Sequence, residues 1–172
     1  MSDPTAPESS PAGFTIWIDA DACPREAREL AIASAVRRRI HVVFVANAWQ
    51  RLPESEFISF RLAPVGADKA DDLIVENAGG SDLAVTGDIP LAFRLVAKNL
   101  LVLDPRGDEI TDANIGERLA MRNLMDKMRS AGLPTGGPRE FSRADRQRFA
   151  NALDRAINQR RKDGTSRKQL SK

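Results

Sequence analysis

Short apolar runs at Phe14–Ile18, His41–Ala46, Leu83–Thr86 and Leu100–Leu103 punctuate the chain, rich in β-branched and aromatic side chains. Runs of this length without polar alternation read as strands buried on both faces. Ile58 to Val65 supplies a further strand, cut short near its end by Pro64. Between these runs the apolar spacing changes to three and four. Pro24 opens a helix to about Arg38, with Ala27, Leu30, Ala31 and Ala35 on one side. Asp68 to about Asn77 is a short helix closed by Gly79 and Gly80, and another spans about Pro90 to Lys98. Thr111 or Asp112 caps a longer helix to about Arg129, with Ile115, Leu119, Leu124 and Met128 expected on its apolar side. After a loop at 132–138, a last helix starts near Ser142 and carries Phe149, Ala152, Leu153, Ala156 and Ile157 as its stripe.

Strands alternating with helices predict an α/β protein: a mostly parallel sheet of about five strands, helices on both faces, and extra C-terminal helices. The expected organisation is a disordered segment 1–13, one domain over 14–160, and a basic flexible tail 161–172. A chain of 172 residues suffices for one domain with a substantial core. No apolar run approaches the roughly 20 residues of a membrane span, and residues 1–13 lack the features of a secretory signal. Cys23, the single cysteine, excludes an internal disulfide, so a cytoplasmic location is expected. The net charge of +2 conceals a division: residues 1–138 hold 15 Lys/Arg against 20 Asp/Glu, whereas 139–172 hold 11 against 4. An acidic body with a basic end can attract a polyanion while keeping carboxylates for a cation.

The chemistry is expected where acids follow strands. Asp19 and Asp21 come directly after the first apolar run, and Asn47, Asp88 and Asp104 each follow a later one. In a parallel sheet these positions share the carboxyl edge, where ligands gather near the reversal of strand order. Charges carried toward a core must be solvated, paired or bound to metal. Asp71 and Asp72 crowd a short helix, and Asp72 is the one expected to face inward. Candidate metal ligands are therefore Asp19, Asp21, Asp71, Asp72, Asp88 and Asp104, and a hard cation such as Mg²⁺ or Mn²⁺ suits oxygen donors. The structural alternative is that Asp21 and Asp88 cap the helices beginning near Pro24 and Pro90. Trp49, beside Asn47 and Arg51, is placed to stack on a base, and Arg106, Arg143 and Arg146 could reach a nucleic-acid backbone. Trp17 reads as core, and Cys23 as a packing residue. His41, the only histidine, starts its strand on the edge opposite the acids and makes a poor catalytic base.

Seven segments carry a resemblance: IDADACP (18–24), VFVAN (43–47), ADDLIVENA (70–78), TGDIPLA (86–92), DPRGDEIT (104–111), IGERLAMRNLMDKMR (115–129) and TGGPREFSRADRQRFANALDR (135–155). Through them the chain resembles the YaiI/YqxD family of bacterial proteins, a likeness that brings no established reaction with it. That family is similar in turn to PIN-like domains, α/β nucleases of three layers that use acidic clusters with Mg²⁺ or Mn²⁺. The resemblance implies catalytic acids at Asp19, at Asp71 or Asp72, and at Asp88, with Asp104 as a fourth of less typical spacing.

The leading expectation is a metal-dependent phosphodiesterase acting on RNA or single-stranded DNA. The strand followed by Asp19-Ala-Asp21 is also similar to the opening of haloacid-dehalogenase-type phosphotransferases, in which Asp19 would be the covalent nucleophile and Asp21 the general acid. A third reading is a non-catalytic nucleic-acid-binding module whose acids are structural.

Overall fold

A computed structural model describes residues 10–137 and 139–170, with backbone alone for 167–170. Residues 1–9, most of the segment expected to be disordered, lie outside the described residues. Ser10–Gly13, assigned to that segment, instead form a turn closed by the Gly13 amide donating to the Ser10 carbonyl at 2.8 Å.

The elements are β1 (Ile16–Asp19), α1 (Arg25–Arg38), β2 (Val42–Ala46), β3 (Ile58–Leu62), α2 (Lys69–Asn77), β4 (Leu83–Val85), α3 (Ile89–Ala97), β5 (Leu101–Leu103), β6 (Glu109–Ile110), α4 (Asp112–Ser130) and α5 (Arg143–Leu170). They build one six-stranded sheet in the order β3-β2-β1-β4-β5-β6. Neighbours from β3 to β5 run parallel, and only β6 is antiparallel. Strand order therefore reverses between β1 and β4.

Alternation along the central strands divides the core. Ile16 and Ile18 of β1, with Val42 and Phe44 of β2, pack toward the α1 and α5 face. Trp17, Val43 and Val45 pack toward α2 and α3. All five positions of β2 are buried, as a strand covered on both faces requires. Small residues let α1 lie close to the sheet: Ala27, Ala31, Ser34 and Ala35 are buried. Trp17 is 1% exposed, and its indole Nε1 donates to Asp82 at 3.0 Å.

Three expectations need correction. The apolar stripe on α4 is not a core stripe: Ile115 alone on that helix is buried, and Leu124 is exposed. The helix packs on α3, and beyond Ile115 none of its side chains is fully buried. The last helix continues to Leu170 rather than ending near Arg161. The third strand stops at Leu62, two residues before Pro64. Among the described residues no helix is long and apolar enough to cross a membrane.

Candidate active site at the strand-order reversal

Asp19 is the last residue of β1 and pairs with Val45 in register, yet it is buried. Its carboxylate is held by neighbours on both sides of the reversal. The Thr86 hydroxyl, just after β4, donates to Oδ2 at 2.7 Å, and the Ala22 amide approaches Oδ1 at 3.4 Å. Thr86 serves twice, because its Oγ1 also accepts the Asp88 amide at 2.9 Å. A second tie joins the same two loops, with the Gly87 amide donating to the Ala22 carbonyl at 3.0 Å. The backbones approach so closely that a Cβ on Gly87 would lie 2.8 Å from that carbonyl oxygen. The loops carrying Asp19 and Asp88 are thus fixed to each other by backbone.

Asp88 is the N-cap of α3, and its Oδ1 accepts the Leu91 amide at 3.0 Å. Its structural role is therefore real, and its second carboxylate oxygen stays available. Asp21 is exposed and accepts both the amide and the side-chain amide of Asn47, at 2.7 and 2.9 Å. This pair ties the loop after β1 to the loop after β2 at the surface and occupies the Asn47 side chain.

The helix-borne acid at the site is Asp71, not the Asp72 that was expected to face inward. Asp72 turns to α3 and pairs with Arg94 at 2.9 Å, with Lys69 at 3.7 Å. The Arg94 hydrogen bond, ahead of other influences, holds its carboxyl below the usual range. One residue on a helix is a rotation of about 100°, which separates these neighbours onto different surroundings. Asp71 is pushed up to about 6, first by burial and then by the charges of Asp88 and Asp19, with Arg94 countering too weakly to prevent it. Asp19 is raised as well, chiefly by burial, with Asp88 and Asp21 adding to it against the Thr86 hydrogen bond. Desolvation dominates both shifts, and the neighbouring acids add to it.

Asp104 follows β5 as expected, but its carboxylate accepts the Arg106 amide at 2.6 Å and so closes the β5–β6 turn. Burial raises it, partly offset by that amide. Arg106, expected at the pocket rim, folds back instead. It pairs with buried Asp145 at 2.7 Å and donates to the carbonyls of Glu140 and Arg139. Asp145 also holds Arg139 and Arg148, at 2.8 and 3.0 Å, and accepts the Ser142 amide at 2.9 Å. A carboxylate with that many donors captures a guanidinium that sequence spacing alone assigns to solvent. Arg143, Arg146 and Arg51 are exposed, as is Trp49 at 71%. Cys23 is buried, and desolvation pushes its thiol up to about 12, which suits packing rather than nucleophilic work.

Among the described residues, no three of His, Cys, Asp and Glu are drawn together tightly enough to cage a metal ion. The six expected ligands are therefore not one chelate. The donor set still fits a hard cation of one kind. Mg²⁺ keeps several waters and binds through one or two carboxylates plus substrate phosphates, rather than through an all-protein cage. Asp19 and Asp88, with Asp71 beside them, offer oxygen donors and an excess of negative charge. Asp19 is also buried and bonded by Thr86, so it is not presented as the open nucleophile that a covalent phosphotransferase needs.

Fold and site together define an open α/β protein whose carboxylates gather where strand order reverses. The chain belongs to the family described as Uncharacterized BCR, YaiI/YqxD family, whose model matches residues 17–159. It is similar to a UPF0178 protein of Bordetella petrii, 51% identical over 142 residues that cover 83% of this chain and 95% of the relative. A UPF0178 protein of Dechloromonas aromatica is 50% identical over 142 residues, covering 83% and 95%. One from Myxococcus xanthus is 48% identical over 142 residues, covering 83% and 93%. No solved structure matches the chain.

The sequence reading missed Thr86 and Gly87. The only signal for either is their position between a strand end and an acid, in Thr86-Gly87-Asp88.

Proposed function

We propose that the protein is a divalent-cation-dependent phosphodiesterase that cleaves RNA or single-stranded DNA, with Mg²⁺ or Mn²⁺ held at Asp19 and Asp88 and with Asp71 beside them. The observation that carries this reading is the buried Asp19 carboxylate, tied through Thr86 to the Asp88 loop and raised chiefly by that burial, with Asp88 and Asp21 adding to it. Such a cation neutralises charge on the phosphoryl oxygens and renders a bound water nucleophilic.

The chain's own contribution is positioning. Thr86 and the Gly87–Ala22 bond keep the two carboxylate-bearing loops in register, so little ordering remains to be done when substrate arrives. Burial of Asp19 removes water from one side of the pocket and strengthens every electrostatic interaction there. The charge crowding at Asp71 favours whatever brings positive charge to the site. The PIN-like likeness is compatible with this layer arrangement, and the unpaired thiol of Cys23 suits the cytoplasm.

The test is cleavage of a labelled single-stranded oligonucleotide by purified protein in Mg²⁺ or Mn²⁺. Asp19→Asn should lower the rate by about 100-fold or more. Equal rates for the wild type and this variant reject the role of Asp19. A melting temperature indifferent to millimolar Mg²⁺ and Mn²⁺ favours the non-catalytic binding module instead.

A further inference from the structure

We propose that the loop after β2 is a platform for single-stranded nucleic acid, on which Trp49 stacks against a base while Arg51 holds a flanking phosphate. This adds a base-stacking subsite to the site above and rests on that reading.

The two tryptophans stand in opposite conditions. Trp17 is 1% exposed and hydrogen-bonded, whereas Trp49 is 71% exposed. An indole left in water presents an open ring face to a ligand. Its position is fixed rather than incidental. Asn47, two residues earlier, is bonded through both backbone and side chain to Asp21, in the loop that continues from Asp19. Two residues of extended chain span at most about 7 Å, so the Trp49 backbone stays within that reach of the Asn47 bonded to Asp21.

Next to Trp49, the Gln50 side chain accepts from Arg28 Nη1 of α1, which ties the loop to the helix that begins beside Asp21. Arg51 follows in the loop and lines a cavity of about 410 Å³ with Leu52, Pro53 and Glu54.

The combination suits a single strand. Unpaired bases expose a ring face to an aromatic side chain, and stacking tolerates any base, while cations follow the phosphates. A duplex hides those faces. Arg143 and Arg146 open α5, which packs on the turn after β5, and so they flank the same sheet edge from the other side.

The experiment is a fluorescence titration of full-length Asp19→Asn protein with dodecamers of deoxythymidine or uridine, in Mg²⁺, where cleavage does not consume the probe. Either oligonucleotide should quench Trp49 emission and leave that of Trp17. Trp49→Ala should raise Kd about tenfold or more, whereas Trp49→Phe should keep most of the affinity. Arg51→Gln should raise Kd severalfold and lower the salt slope by about 1. Melting curves verify that these exposed positions leave the fold intact. Unchanged affinity in Trp49→Ala, or equal binding of a duplex of the same length, overturns the platform. Trp49-dependent binding in a wild type that cleaves nothing removes the catalytic reading and leaves the platform standing. Cleavage with Trp49-independent affinity does the reverse.

Discussion

The Thr86 hydroxyl donates to the buried Asp19 carboxylate at 2.7 Å, across the gap where strand order reverses. The same oxygen accepts the Asp88 amide, so one hydroxyl couples two acids that are 69 residues apart in sequence. Thr86→Val keeps the shape and removes both bonds. It should cost about 1–3 kcal/mol of stability and raise Asp19 further, because a bond to the charged form is lost. Cleavage should fall with it. Denaturant melts and rates of the purified variant check both, and a variant as stable and active as the wild type contradicts the coupling.

Gly87→Ala probes the backbone tie between the same loops. The new Cβ would sit 2.8 Å from the Ala22 carbonyl oxygen, a backbone atom that cannot swing aside as a side chain would. The loops must separate, at about 1–3 kcal/mol. The expected signature is a larger loss in cation-dependent activity than in melting temperature, since the fold's layers remain. Activity preserved alongside reduced stability would detach the tie from the site.

Asp71 and Asp72 should behave differently although adjacent. Asp71→Asn should lower cation-dependent cleavage by about tenfold or more, while Asp72→Asn, which breaks a partly exposed pair with Arg94, should stay within about twofold. The pH dependence without divalent cations separates them too. Asp71 titrates near 3.8 when unfolded and about 6 when folded. A raised carboxyl favours folding below the lower value and loses that contribution as pH climbs through the higher one. Above pH 6 in chelator, Asp71→Asn should therefore exceed the wild type by on the order of 1 kcal/mol, reduced for solvent screening. The gap should close between pH 6 and 3.8 and disappear below. Millimolar Mg²⁺ should narrow it from the other direction by stabilising the wild type.

Asp145 holds Arg106, Arg139 and Arg148 together where α5 meets the β5–β6 turn. Its carboxyl is held well below the usual range, first by the Ser142 amide and then by Arg139 and the Ser142 hydroxyl. A lowered carboxyl contributes stability above its unfolded pKa and loses it as pH falls toward the folded value. Asp145→Asn should lower the melting temperature at pH 7 by more than Arg106→Gln, Arg139→Gln or Arg148→Gln singly, since it strands three guanidiniums at once. The difference from wild type should fade only below about pH 3.8. Gly107 belongs to the same junction: at φ 96°, a Cβ there would lie 2.5 Å from the Arg148 carbonyl carbon. Gly107→Ala should therefore displace the start of α5.

Where apolar periodicity is strong, the chain declares its own architecture. Val42–Ala46 is buried at every position because both faces are covered, and Phe149, Leu153 and Ile157 of α5 do reach the core. The acids Asp19, Asp88 and Asp104 were legible because each ends or follows an apolar strand. What stayed hidden depends on long-range partners. Glu109–Ile110 is too short to signal a strand and exists because β5 offers it an edge. Arg106 is drawn inward by Asp145, 39 residues later. The choice between Asp71 and Asp72 turns on helix phase, set partly by Asp68 at φ 57° before α2. Local composition carries none of that information.

The most direct test is anomalous diffraction from crystals soaked in Mn²⁺. A peak between the Asp19 and Asp88 carboxylates, absent from Asp19→Asn crystals soaked alike, is the result expected here. Density confined to other carboxylates, with the Asp19 pocket empty at saturating Mn²⁺, would contradict a cation shared at the strand-order reversal.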